Sequence, residues 1–238
     1  MAEYKDFLNK NYYFLDFESN KKHELFLLGV EVKKNFTCYV INEDLSPICE
    51  NENYKDKFNI QYGKPKDIIS KLLSSMSADN DVIVAYSSPE LKLIQKTIPK
   101  ENLPNILYLN LAKAAKTWVN KYHKVEFEKL SKFRSYSNSF IAKKRSLASI
   151  MRLLPQSPQA SNLYGPGKTT TRINYVINAL KKYKKFSELS TRQKIKTTNF
   201  LNHNYYDVTC MRYLLDEIIR QDPKLLQKGS FKLTDIKS

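Results

Sequence analysis

The chain has 238 residues, 42% of them hydrophobic, which is enough for a single domain with a substantial core, and its formal net charge is +16. Its longest apolar runs, Leu25–Val32 and Val82–Tyr86, are far shorter than the about 20 residues that cross a bilayer, and no signal-peptide pattern opens the chain. A cytoplasmic protein with no membrane partner is expected. The cysteines Cys38, Cys49 and Cys210 are odd in number and lack metal-ligand spacing, which argues against a disulfide framework and against zinc.

In chain order, the first third reads as a strand meander. Tyr12–Glu18, Leu25–Val32 and Phe36–Ile41 are β-branched and aromatic runs separated by Asn, Lys and His, and they predict three successive antiparallel strands. Two acids, Asp16 and Glu18, interrupt the first run. Side chains alternate along a strand, so both project from one face, about 7 Å apart. Two carboxylates so placed repel unless a cation sits between them, which makes the pair a candidate site for a hard divalent ion such as magnesium or manganese. An edge strand with an acidic outer face carries the same residues.

Pro65–Met76 then places Ile68, Ile69, Leu72, Leu73 and Met76 at helical spacing, with proline in the first turn. Val82–Tyr86 predicts a strand. Ser87-Ser88-Pro89-Glu90 follows as a helix start with a capping serine, continued by Leu91, Ile94 and Ile98. Ile106–Leu109 predicts one more short strand. A meander followed by alternating helices and strands predicts the α/β class, a mixed β-sheet flanked by helices.

From about Lys129 the pattern turns basic and mainly helical. Leu147, Ile150, Met151 and Leu154 mark a short helix ended by Pro155, and residues 156–171 read as a loop rich in Pro, Ser, Gly and Thr. Pro166-Gly167-Lys168-Thr169 has Asn162 where a phosphate-binding P-loop requires glycine, which excludes that motif. A long last helix is predicted from about Thr191 to Arg220, packing through Leu201, Val208, Met211, Leu215 and Ile218, and stopped by Asp222-Pro223. The expected organisation is one domain over residues 1–222, with a basic insertion at about 129–196 before the last helix, and a tail over 223–238.

The charge is segregated. Residues 1–120 hold 16 Lys/Arg and 16 Asp/Glu, whereas residues 121–238 hold 24 and 8; between Lys129 and Lys196 there are 16 basic residues and a single acid, Glu188. A compositional bias would act on both halves alike. This distribution predicts a polyanionic partner, DNA or RNA, with an anionic membrane surface as the rival. Lys143, Lys144, Arg145, Lys168, Arg172, Lys181 and Lys182 are the candidate nucleic-acid contacts. Phe133, Tyr136, Phe140, Tyr164, Tyr175 and Tyr183 interleave with the basic residues; rings of that kind that are not core stack single-stranded bases, which favours a single-stranded partner.

Asp16, Glu18, Glu90 and Asp207, with His203 one helical turn before Asp207, occur in an order that resembles the DEDD, or DnaQ-like, branch of the ribonuclease H-like superfamily. The matching motifs are Phe14-Leu15-Asp16-Phe17-Glu18 on the first strand, Val84-Ala85-Tyr86-Ser87-Ser88-Pro89-Glu90 after a central strand, and His203-Asn204-Tyr205-Tyr206-Asp207 on the late helix. The last two look closest to the ribonuclease H-like nuclease domains found alone or fused to RecB-type modules. This resemblance implies a ribonuclease H-like fold and a 3′–5′ exonuclease that needs two Mg2+ or Mn2+ ions and no small-molecule cofactor. It implies that Asp16, Glu18 and Asp207 hold the metal, that Glu90 lies at or near it, and that His203 orients or deprotonates the attacking water. Two departures stand beside it: His203 has the histidine of one subgroup at the spacing of the tyrosine subgroup, and Glu90 replaces the commoner aspartate. A catalytically silent nucleic-acid-binding module and a structure-selective endonuclease of the same fold remain open alternatives.

Overall fold

The computed structural model describes residues 7–20, 24–132, 146–154, 156–158 and 169–235. The three predicted strands of the meander form as β1 (Asn11–Ser19), β2 (Leu25–Val32) and β3 (Asn35–Val40), paired antiparallel. Lys33 and Lys34 turn the β2–β3 hairpin with φ of 51° and 68°, a pair of positive φ angles that matches the twist of the flanking strands. On the other side of β1, β5 (Asp81–Ala85) and β6 (Leu107–Asn110) add in parallel. Two short strands, β4 (Gln61–Tyr62) and β7 (Ser230–Lys232), close the edges, so the seven-stranded sheet runs β4-β3-β2-β1-β5-β6-β7. The mixed α/β sheet flanked by helices is the class expected from the sequence.

Eight helices accompany the sheet among the described residues: α1 (Glu52–Phe58), α2 (Pro65–Ser74), α3 (Pro89–Thr97), α4 (Leu111–Tyr122), α5 (Lys124–Lys132), α6 (Leu147–Ile150), α7 (Thr169–Tyr183) and α8 (Thr191–Gln221). Strand alternation divides the core. Leu15, Phe17, Leu28, Val30 and Ile83 pack against α2 and α3 on one face. Phe14, Val82, Val84 and Leu109 face the opposite way, against α4, α6 and the second half of α8. Leu27, Cys38 and Val40 extend that second face towards α1, α7 and the first half of α8, at Phe200 and Leu201. Each large apolar side chain so buried contributes roughly 1.5–3 kcal/mol, which holds the layers together. Trp118, fully buried on α4, donates its indole N–H to Gln221 Oε1 at 2.6 Å and ties that helix to the end of α8.

Three local readings change. The loop expected through Thr171 ends earlier, because α7 already begins at Thr169. The basic stretch does not stop before the last helix: Arg192, Lys194 and Lys196 lie in the first turns of α8, which opens with a capping box between Ser190 and Gln193. The segment set apart as a tail turns back through Pro223–Gly229 and supplies β7, antiparallel to β6. Gly229 passes so close to Asn110 that an added Cβ would stand 2.3 Å from its carbonyl oxygen, so only glycine fits the return. Among the described residues no helix is long and apolar enough to cross a membrane.

Candidate active site

The alternation of β1 that sends Leu15 and Phe17 towards α2 and α3 sends Phe14, Asp16 and Glu18 towards α8. Both acids sit near the carboxyl end of β1. Its parallel neighbour β5 ends alongside, with Leu15 opposite Ala85, and the chain leaves β5 through Ser87 and Ser88 into α3, which carries Glu90 in its first turn. Open α/β sheets collect ligands at such carboxyl ends. From above, α8 lowers His203 and Asp207 from one helical face. His203 Nε2 stands 3.8 Å from Glu18 Oε1 and 3.6 Å from Asp207 Oδ2, between two carboxylates but too far from either for a good hydrogen bond. The structure thus brings together all five side chains singled out in the sequence as Asp16, Glu18, Glu90, His203 and Asp207.

Two further residues fix Asp16. Asn204 Nδ2 donates to Asp16 Oδ2 at 2.8 Å and to the Asp16 carbonyl oxygen at 3.0 Å. The amide can lie there because Gly29 is the residue of β2 opposite Asp16: a Cβ on Gly29 would stand 2.4 Å from Asn204 Oδ1. Glu90 is held differently. The Ser87 hydroxyl donates to Glu90 Oε2 at 2.8 Å, and the Tyr108 hydroxyl donates to the Ser87 carbonyl at 3.0 Å, which pins the turn. Ser88, the serine expected to cap α3, makes no side-chain cap; its backbone is already helical and its hydroxyl instead accepts from Asn110 Nδ2 at 3.1 Å.

Crowding of the acids sets the electrostatics. Burial pushes Asp16 well above the usual carboxylate range, and repulsion from Asp207 and Glu90 adds to it, while His203 and the Asn204 amide pull the other way. Glu18 rises for the same reasons, with burial first and then Asp16 and Asp207. Asp207 is pushed up to about 7 by burial and by Glu90. Burial also raises Glu90, against the backbone N–H groups and the Ser87 hydroxyl that favour its ionised form. His203 is lowered by burial, with Asp16 opposing and the Arg172 guanidinium reinforcing, so its imidazole is neutral at pH 7.

Among the described residues, none of the four carboxylates has a lysine or arginine within ion-pair distance; His203 is the only salt-bridge partner of Glu18 and Asp207. Among the same residues no three His, Cys, Asp or Glu side chains converge as a ready-made coordination shell. The chemistry of the donors nonetheless fits a hard divalent ion, since they are carboxylate oxygens whose mutual repulsion a dication would relieve. Asp16, Glu18 and Asp207 are the residues that could hold it.

The basic residues divide. Arg172 is buried on α7 and lies close enough to His203 to depress its protonation. Lys181 and Lys182 lie about 14 Å further along the same helix; Lys181 pairs with Asp44 at 3.1 Å, and Lys182 stands over the Tyr183 ring at 5.1 Å. Lys143, Lys144, Arg145 and Lys168, with Phe133, Tyr136, Phe140 and Tyr164, lie outside the described residues. Tyr175 and Tyr183 are exposed rings rather than core. Sequence reasoning missed Gly29, Asn204 and Ser87. One signal was available: a glycine inside an otherwise β-branched and aliphatic strand marks a place where another group comes close.

No protein-family model matches the chain, and no curated protein matches it either.

Proposed function

We propose that this chain is a metal-dependent phosphodiester hydrolase, a 3′–5′ exonuclease of the ribonuclease H-like type, acting on single-stranded or frayed ends of DNA or RNA. The observation that carries the reading is the convergence of four carboxylates from three separate elements, β1, α3 and α8, and none of the four has a lysine or arginine of the described residues within ion-pair distance. Such a group costs stability and is expected where an external charge completes it. An antiparallel meander extended by parallel strands, with acids on the first strand and after a central one, agrees with the fold that the motif order implies.

Divalent ions, when bound, stabilise charge on the phosphate and make water a better nucleophile. The chain's own residues do the rest. Asp16, Glu18 and Asp207 supply the carboxylate oxygens, and Asn204 holds Asp16 in one orientation. Ser87 restrains Glu90 at the rim of the same group. A neutral His203 accepts a proton at Nε2, and the resulting imidazolium is stabilised by Glu18 and Asp207 on either side. Arg172, next to that histidine, offers positive charge to the substrate phosphate.

Incubation of 3′- and 5′-labelled oligonucleotides with the protein and magnesium or manganese tests the reading. Stepwise shortening from the 3′ end, lost in Asp16→Ala, is expected. No shortening with either ion, or equal shortening by Asp16→Ala, would sink it; hydrolysis of a closed circle would reassign the site to an endonuclease.

A further inference from the structure

A cavity of about 450 Å³ lies beside this site, between α7 and the start of α8, lined by Thr171, Arg172, Tyr175, Arg192 and Lys196. Among the described residues, three of the five lining side chains are cations and none is an acid. The two on α8 are in line with the catalytic group: Arg192, Lys196, His203 and Asp207 are separated by four, seven and four residues and so share one stripe of the helix. At 1.5 Å per residue, Lys196 stands about 10 Å and Arg192 about 16 Å from His203 along the axis. Arg172 joins the two regions, since it lines the cavity and acts on His203. Tyr175 is 42% exposed, so its ring is offered to the cavity and is not spent on the core.

We propose that this cavity is the subsite for the strand on the 5′ side of the scissile bond, with Arg192 and Lys196 contacting backbone phosphates about two to three nucleotides upstream and Tyr175 stacking a base. The row of cations along one helical stripe suits a repeating anion. An aromatic ring among them selects a strand whose bases are unpaired, because bases within a duplex present no free face. The direction of the strand rests on the exonuclease reading above. Its binding does not, so the two can fail separately.

The test is fluorescence anisotropy of labelled single-stranded oligonucleotides of about 2 to 12 residues, with the whole chain in EDTA so that none is hydrolysed. Affinity is expected to rise steeply once the strand is long enough to pass Lys196 and Arg192. R192A/K196A should lose that rise, bind the longer strands about tenfold or more weakly, and reduce the slope of log affinity against log salt by about 1.4. R192K/K196R should keep the slope. Tyr175→Ala should weaken binding about tenfold and Tyr175→Phe should not. Wild-type affinity and slope in a folded R192A/K196A protein would overturn the assignment, as would a mononucleotide that competes as well as the long strand, which would make the cavity a free-nucleotide site. If the length dependence is present and R192A/K196A abolishes it, but labelled ends are not shortened with manganese, the subsite stands and the exonuclease reading falls. If ends are shortened while R192A/K196A binds every length like the wild type, the reverse holds.

Discussion

Two sets of acids lie under α8, one strand apart on the same face of the sheet, and the helix treats them oppositely. Glu31 on β2 is 2% exposed, yet it accepts from the Arg212 guanidinium and from the Thr209 hydroxyl, so its charge is neutralised within the chain. Among the described residues, Asp16 on β1 accepts a side-chain hydrogen bond only from the neutral amide of Asn204, and its other close neighbours include the acids Asp207 and Glu90. A helix able to bring an arginine to one buried carboxylate brings an asparagine and another acid to the next. Buried charge that is matched internally is architecture; buried charge left unmatched is held ready for something that is not part of the chain.

Substitution should break this pair of cases in opposite directions. Asp16→Ala is expected to lower the end-shortening rate on the order of a thousandfold, while the metal-free protein melts at the wild-type temperature or above it, because a repelled carboxylate has gone. Glu31→Ala should do the reverse: urea denaturation should show a loss of about 3–5 kcal/mol, since Arg212 is left without its partner, and the rate per folded molecule should not change. A lower melting temperature for Asp16→Ala than for Glu31→Ala would remove the distinction. Gly29→Ala sharpens it at closer range. The added methyl would displace the Asn204 amide from Asp16, costing about 1–3 kcal/mol in stability and lowering turnover, with the Kd for a single strand in EDTA unaffected.

The pH dependence separates the two sets again. Folded Asp207 titrates at about 7 against an ordinary 3.8, so between those values the folded chain retains a proton that the unfolded chain has released. The metal-free fold should therefore lose stability as pH rises from about 4 to about 7, by roughly 2–4 °C in melting temperature per kcal/mol. Depressed His203 acts in the opposite sense up to its ordinary value of 6.5. Asp207→Asn should flatten the descent, and manganese should abolish it; a melting temperature that climbs through this range in EDTA would refute the unmatched-charge account. The smallest effect belongs to Ser87→Ala, which removes one hydrogen bond to Glu90. It should cost about 1 kcal/mol and move the acid limb of the pH–rate profile upward, because the ionised form of Glu90 loses a donor.

Much of this was legible in the sequence where the pattern is long or chemically distinctive. The meander, α2, β5, α3, β6 and α8 follow from runs whose apolar spacing leaves little choice, and the five polar residues of the site stood out because charge is rare on apolar elements. α4 could have been found, since Leu111, Ala114, Ala115, Trp118 and Val119 repeat at helical spacing. The edge strands β4 and β7 could not: two- and three-residue strands have no period of their own and form only because a neighbouring strand accepts them. Gly29 signalled a close approach but not what approaches it, and Asn204 was hidden for a different reason. Their contribution is a contact between residues 175 positions apart, and neither shows in isolation what the other leaves room for.

The length of α8 has a dynamic consequence. Its 31 residues span about 46 Å, with Phe200 and Leu201 anchored over β2 and β3, and Met211, Leu214, Leu215 and Ile218 buried in the core that α8 shares with β1, α4 and α6. His203, Asn204 and Asp207 lie in the interval between these moorings. Their backbone amides should exchange with deuterium only when the whole domain opens, at the rate set by its global unfolding, and not by fraying of a helix end. The helix that carries His203, Asn204 and Asp207 is thus also the slowest part of the molecule to let go, and under the proposed function adjustment to different strand ends would fall to the side chains and turns that face it.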